Sequence, residues 1–494
     1  MIREMRIADY GMRISFCLTV IFTGVGSLFA QDLIPAPGPA RPVAIPAVRE
    51  AKLKNGLTVA VVEKRSVPIV TVQLLVRSGA VAESIKKAGL ANITADMLTK
   101  GTKTRTAEQI AEEMEFLGAS INSGAGWNSS SVTMSVTSDK LDQAMAIMAD
   151  VVLNPSFKQE ELDLLKSQTL DELKANLAQP AFLANYVASV RAFREHPAGG
   201  TTASVEAIGR ADVVEFHKAA YAPEQSVIIF AGDISSSQAN ALAARYFDGW
   251  TSGGPASTKF AAVTDKLGGS KNIASRILVV DLPGSGQASV NFYRAVGSGR
   301  SAKEYYTASV LNSLLGGGYS SRLNQEIRIK RGLSYGAGSS FGWRSGTTNF
   351  STRTQTKNQS AAEVAELVIA ELRRLAESDA TETDLNPRRL VLTGGFGRNL
   401  ETTGGLTGAL ADLYSFGIPA GELNNYMRSV STVSPTNVKD FASKFLHDGE
   451  IIIVGDYSVF KDDLAKRFPN MKIDVIKVDE LNIESPTLRK SDIQ

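Results

Sequence analysis

Three stretches of this sequence recur, in order, roughly 220 residues further along. VPIVTVQLLVRSG (67–79) alternates apolar and polar residues and closes on Ser-Gly, and QASVNFYRAVGSG (287–299) does the same. This is the period-two pattern of a strand running into a turn. VEAIGRADVVEFHKAAY (205–221) and VSTVSPTNVKDFASKFL (430–446) share their apolar spacing. Each leads to a buried-looking strand and the same turn, VIIFAGDIS (227–235) and EIIIVGDYS (450–458). Two copies of one domain, joined by the Gly/Ser/Pro-rich SGGPASTKFAAVTDKLGGSKN (252–272), is the economical reading.

A chain of 494 residues is in any case too long for one ordinary core, since domains run to ~150 residues each. Strands and long helices alternate without a regular βαβ rhythm. The expected architecture is therefore α+β, each copy an antiparallel-rich sheet packed with helices. A net charge of +2 gives no basic field for nucleic acid. No GxGxxG or Walker sequence occurs, which leaves nucleotide binding without support.

The first residues read as an address. Arg3, Arg6 and Arg13 precede the apolar run ISFCLTVIFTGVGSLFA (14–30), and Gln31 opens a polar, proline-rich stretch. That is the order of an export signal, cut after Ala30, with an uncleaved membrane anchor as the alternative. Export to the periplasm is the expectation. Cys17, the only cysteine, lies inside this leader, so the mature chain has no disulfide and no thiolate ligand or nucleophile. The expected boundaries are a leader at 1–30, a tether at 31–50, a first domain at 51–250, a linker at 251–275, a second domain at 276–465 and a tail at 466–494.

Two helices of the first copy carry polar residues of interest. GLANITADMLTKGT (89–102) places Asn92 and Asp96 one turn apart, with Ala95 between them and the apolar side. KQEELDLLKSQTLDELKANLAQP (158–180) has an apolar stripe of Leu162, Leu165, Leu173 and Leu177, with Glu172 beside it and Pro180 as the expected stop. The order of these segments, with VVLNPSF (151–157) and VIIFAGDIS, resembles the pitrilysin family of metallopeptidases, which includes insulin-degrading enzymes and mitochondrial processing peptidases. The resemblance implies two homologous domains forming half of a clam-shell. It also implies a zinc site: HxxEH on the first helix, two imidazoles on one face with a Glu that activates water, and a distal Glu. Here the two His positions are Asn92 and Asp96, the Glu position is Ala95, and only the distal Glu172 matches. No metal is expected on this chain. His196, His217 and His447 offer no second His or Cys at ligand spacing.

The second copy holds SVLNSLLGGGYSSRLNQEIRIKRGLSYGAGSSF (309–341). By resemblance, Arg328 and Tyr335 are the pair that reaches the substrate backbone, suited to a scissile carbonyl and the oxyanion formed from it. By composition alone, Arg328, Lys330 and Arg331 before Gly332 are the cations of a helix C-terminus. Gly316, Gly317 and Gly318 are permissive backbone that could let a peptide approach. GLSYG (332–336) matches a GxSxG nucleophile pattern with Ser334, and His447 lies downstream, but the strand before it and the helix after it that such an elbow requires are missing. The resemblance leaves two readings. In one, the chain is the zinc-free subunit of an exported heterodimeric peptidase, supplying Arg328 and Tyr335 to an HxxEH partner that holds the zinc. In the other, it is an inactive homologue acting as a scaffold or peptide-binding module.

Overall fold

The structure is a computed structural model that describes residues 43–192, 195–251, 272–344, 348–378 and 380–490. The expected leader and most of the tether and linker lie outside these residues. The chain folds into two six-stranded sheets. The first is ordered β1-β2-β6-β3-β5-β4, from β1 (Arg49–Lys52), β2 (Thr58–Glu63), β3 (Ile69–Val76), β4 (Ser120–Ala125), β5 (Ser130–Thr137) and β6 (Ser226–Gly232). The second is ordered β12-β7-β11-β8-β10-β9, from β7 (Ala274–Asp281), β8 (Ala288–Val296), β9 (Ala337–Trp343), β10 (Thr348–Thr356), β11 (Gly449–Gly455) and β12 (Lys472–Lys477).

The recurring sequence segments take the same topological places. VPIVTVQLLV and QASVNFYRAV form β3 and β8, while VIIFAG and EIIIVG form β6 and β11. Helices Arg210–Ala220 and Pro435–Phe445 precede the latter two. In both sheets the inner strand pairs agree: one parallel pair, β2–β6 or β7–β11, followed by antiparallel partners. Only the outermost strand differs. β1 comes from before its sheet and runs antiparallel to β2, whereas β12 comes from after its sheet and runs parallel to β7. The last residues of the expected tether therefore enter a sheet. The expected tail at 466–494 likewise supplies an edge strand, β12, which completes the six strands of the second sheet.

Four helices position the candidate residues and join the two halves: α1 (Leu90–Leu98), α2 (Gln159–Leu177), α3 (Pro180–Arg191) and α4 (Thr403–Ser415). Pro180 does not simply stop α2. It occupies the first turn of α3, where its missing N–H costs nothing. β6 and β11 are buried along their whole length, so both faces of each sheet centre must be covered. On one face each half supplies its own helices. The other face is covered by exchange. α4 of the second half seals Ala60, Val62, Leu75, Val227, Ile229 and Ala231 of the first sheet with Leu406, Leu410 and Leu413. α3 of the first half seals Leu278, Val280, Tyr293, Ile452 and Val454 of the second sheet with Leu183, Ala184, Val187 and Ala188. Among the described residues, no helix is long and apolar enough to cross a membrane.

Because neither half covers both faces of its own sheet, the two should unfold together. Leu410→Ala, at a fully buried position of the exchanged helix, is expected to cost about 2 to 5 kcal/mol. Denaturant titration should show a lower midpoint in one shared transition. A wild-type titration with two separated transitions would contradict the exchange as the stabilising element.

Candidate functional site

α1 is well formed although its sequence carries none of the metal ligands of an HxxEH helix. Leu90, Ala91, Ile93, Thr94, Ala95, Met97 and Leu98 are buried, and the Ser123 hydroxyl of β4 donates to the Ala95 carbonyl at 2.7 Å. A methyl group thus fills the position where a water-activating carboxylate would sit. Asn92 and Asp96 lie half-buried on the remaining face. The Asn92 Oδ1 is buried without a hydrogen-bond partner among the described residues. Burial raises the Asp96 carboxyl, against the opposing pull of the Lys100 ammonium. α2 packs against α1, and its Glu172 is exposed, 3.5 Å from the Asn176 amide. These residues do not fit zinc: the set is two carboxylates and an amide oxygen, with no imidazole or thiolate. Among the described residues no group of three or more His, Cys, Asp or Glu side chains stands at metal-binding distance.

What holds α1 in place is a residue that the sequence pattern did not single out. The Glu83 side chain is fully buried, and its two oxygens accept from the backbone N–H groups of Gly89 and Ala91, each at 2.8 Å. A carboxylate at this end of a helix complements both the free donors and the dipole. Burial pushes its pKa to about 7, although those N–H groups pull the other way. Its neighbour is His196, with Nδ1 3.6 Å from Glu83 Oε1 and the ring packed on Trp127. Burial holds His196 below the ordinary imidazole range, against backbone hydrogen bonds with Pro197 and Ala80. His217 is a core residue, with Nε2 2.9 Å from the Val152 carbonyl and the ring between Phe157 and Tyr221. Burial lowers its pKa to about 4.

The second copy brings its candidate residues together. A cavity of about 570 Å³ is lined by Arg328, Tyr335, Gly316 and Gly318, and by Tyr319 and Asn324 from the same segment. Arg328 sits in a π-helical turn, Asn324–Ile329, in which Lys330 N–H donates to the Gln325 carbonyl at 2.9 Å. Such turns project side chains off the regular helical face and occur often at functional sites. The glycine stop expected after the cations is present: Gly332 has φ of 64° and donates to the Arg328 carbonyl at 3.0 Å. The cations nevertheless divide. Lys330 and Arg331 both pair with Glu326, while Arg328 pairs with no carboxylate among the described residues and lies 5.1 Å from the centre of the Tyr319 ring. Tyr335 is 93% exposed, its phenol free to meet something outside the chain.

The three glycines serve different ends. A Cβ on Gly316 would come within 2.2 Å of the Ser339 backbone nitrogen, and one on Gly317 within 2.9 Å of the Ser313 Cα. Both are therefore packing glycines, and Gly317 does not line the cavity. Gly318 faces open space. Ser334 accepts from Gly336 N–H and donates to the Gly336 carbonyl at 2.7 Å, so its hydroxyl is spent on its own turn rather than on His447.

Other lining groups carry weaker sequence signals. Ser289 and Asn291 interrupt the apolar run of β8, and Arg353 and Gln355 alternate outward on β10, patterns that are visible once the strands are known. Ala181 and Asn185 come from α3 of the other half. No local signal marks them, because only the helix exchange brings them to the cavity.

The glycine contacts and the Glu83 cap can each be tested. Gly316→Ala should destabilise by about 1 to 3 kcal/mol, whereas Gly318→Ala should stay within about 0.5 kcal/mol of wild type, both read by thermal unfolding. For Glu83, the folded pKa of about 7 lies above the ordinary glutamate value of 4.5. The folded state therefore binds a proton that the unfolded state has already lost, and this contribution to stability declines as pH rises through that window. Measured against Glu83→Gln, wild type should be relatively more stable near the lower end and lose that advantage towards the upper end. A constant difference across the window would refute the assignment.

Comparison with known proteins identifies the family of the chain. Residues 58–204 match the family model described as insulinase, peptidase family M16, and residues 207–389 match the peptidase M16 inactive domain. A protein of Rickettsia bellii named an uncharacterized zinc protease is 30% identical over 297 residues, covering 58% of this chain and 68% of the relative. A crystal structure described as the peptidase M16 inactive domain from Pseudomonas fluorescens is 26% identical with a TM-score of 0.75, over 83% of this chain and 98% of that one. A structure of a protease from Helicobacter pylori has the same fold, with a TM-score of 0.75 at 20% identity, over 83% of this chain and all of that one. With the two family models matched in succession over residues 58–204 and 207–389, this chain belongs to the M16 family of peptidases.

Proposed function

We propose that the chain is the zinc-free subunit of a divided, exported peptidase, working with a homologous partner that carries HxxEH. The observation that carries this reading is a contrast between its two halves. The first keeps α1 buried and ordered with the ligand and base positions replaced, while the second sets Arg328, with no carboxylate partner among the described residues, and an exposed Tyr335 in one cavity. Zinc held by the partner would supply the Lewis acid and the activated water. This chain's contribution is to hold the peptide. The Arg328 guanidinium and the Tyr335 hydroxyl can both donate hydrogen bonds to a carbonyl oxygen. Directed at the scissile carbonyl, they bind it in the ground state and bind the oxyanion more strongly as charge develops there. The exposure of Tyr335 favours a substrate shared between two chains over one enclosed by this chain alone. The basic and apolar leader at 1–30 is the basis for placing the complex in the periplasm.

The test is to purify the mature chain alone and with an HxxEH homologue, and to measure zinc content and cleavage of unstructured peptides. Activity and zinc should appear only with the partner. Arg328→Ala or Tyr335→Phe in the heterodimer should each lower kcat about 100- to 1000-fold. Cleavage by the isolated, metal-free chain would sink the divided-site reading. Full activity in both variants would leave the scaffold or peptide-binding role.

A further inference from the structure

The same cavity has a charge of one sign. Among the described residues two charged side chains line it, Arg328 and Arg353, and no Asp or Glu does. Arg353 projects from β10 opposite Gly338 of β9, in register across the strand pair. A side chain in place of Gly338 would begin 3.9 Å from Arg353 Nε and 3.3 Å from the Gly316 carbonyl. The bare glycine thus leaves room beside the guanidinium, next to the Gly316–Gly318 turn. Arg353 is exposed and has no carboxylate partner among the described residues. Around the two cations are side-chain amides, Asn185, Gln287, Asn324 and Gln355 among them, which suit a peptide backbone.

We infer that this cavity selects peptides bearing a carboxylate, and that Arg353 is the residue that recognises it. The inference rests on the reading that peptides lie in this cavity with Arg328 on the backbone. Arg328 is then occupied by a carbonyl, and the fork of Arg353 is the cation left to face a charged group. Two cations in a concave site that no Asp or Glu lines among the described residues also raise the local concentration of anionic ligands before contact. A carboxylate reaches the site either as an acidic side chain or as a free C-terminus. The chemistry at Arg353 is the same for both.

The experiment uses the isolated full chain and fluorescence anisotropy with three labelled unstructured peptides of one sequence. The first has an internal Glu and an amidated C-terminus, the second Gln in its place with the amide, and the third Gln with a free C-terminal carboxylate. The Glu peptide or the free-carboxylate peptide should bind about five-fold more tightly than the Gln amide, and which of them does so identifies the source. Added salt should shrink the difference. Arg353→Gln, at an exposed site that folding does not depend on, should bring the favoured peptide down to the affinity of the Gln amide, and Arg353→Lys should keep part of the preference. Equal affinities for all three peptides, binding of none, or a preference that survives in Arg353→Gln would overturn the inference. The outcomes separate it from the divided-peptidase reading. A carboxylate preference lost in Arg353→Gln alongside absence of cleavage, with or without the partner, would leave a peptide-binding site without the catalytic role. Cleavage that requires Arg328 and Tyr335 without any carboxylate preference would remove this inference alone.

Discussion

Each sheet has two apolar faces at its centre, and its own half of the chain covers only one. The exchange of α3 and α4 between halves covers the other, and the rest of the structure depends on it. Leu410 against the first sheet and Val187 against the second do equivalent work in opposite directions. Polar contacts take the same routes: Thr71 meets Thr403 at 2.8 Å, and Lys64 donates to the Leu400 carbonyl at 3.1 Å. Arg191 at the end of α3 reaches the buried Glu450 at the start of β11, at 3.2 Å, and Arg276 joins it at 2.9 Å. An unpaired carboxylate at that depth would be costly, so this cluster also specifies where α3 must lie.

The exchange is also what builds the cavity. α3 begins at Pro180 and carries Ala181 and Asn185 across to the second half, where they join Arg328, Tyr335 and Arg353. Asn185 in turn accepts from the Tyr293 hydroxyl of β8, which ties the wall of the cavity to the sheet beneath it. The site of the second half is therefore made partly from the first. The altered helix α1 contributes differently, by remaining folded. Apolar burial, the Glu83 carboxyl group at its N-terminus and the Ser123 bond to its backbone hold it in place.

Much of the fold was legible because its signals are periodic and local. The alternation in β3 and β8, the unbroken apolar runs of β6 and β11, and the matching Gly-Asp turns after them identify a duplicated domain without any structure. The site was legible in part. Gly332 caps the turn as the cations before it suggested, while Arg328, alone of those cations, has no carboxylate partner among the described residues. Pro180 resembles a stop in the sequence because proline ends one helix and begins the next by the same property, the absence of an N–H. Gly316 and Gly317 look like permissive backbone and are in fact tight contacts, a distinction that depends on what lies opposite them.

Periodicity and the recurring segments determined by themselves that the chain is a duplicated α+β protein, because those signals reside in single segments. Tertiary structure alone decided that Lys472–Lys477 complete a sheet as β12, that Glu83 caps α1, and that Asn185 and Arg353 share a cavity with Arg328. Each of these joins residues far apart in the chain whose partner is chosen by packing and burial. No local pattern can encode such a choice, since the same Glu, Asn or Arg on a solvated face would have the same sequence around it.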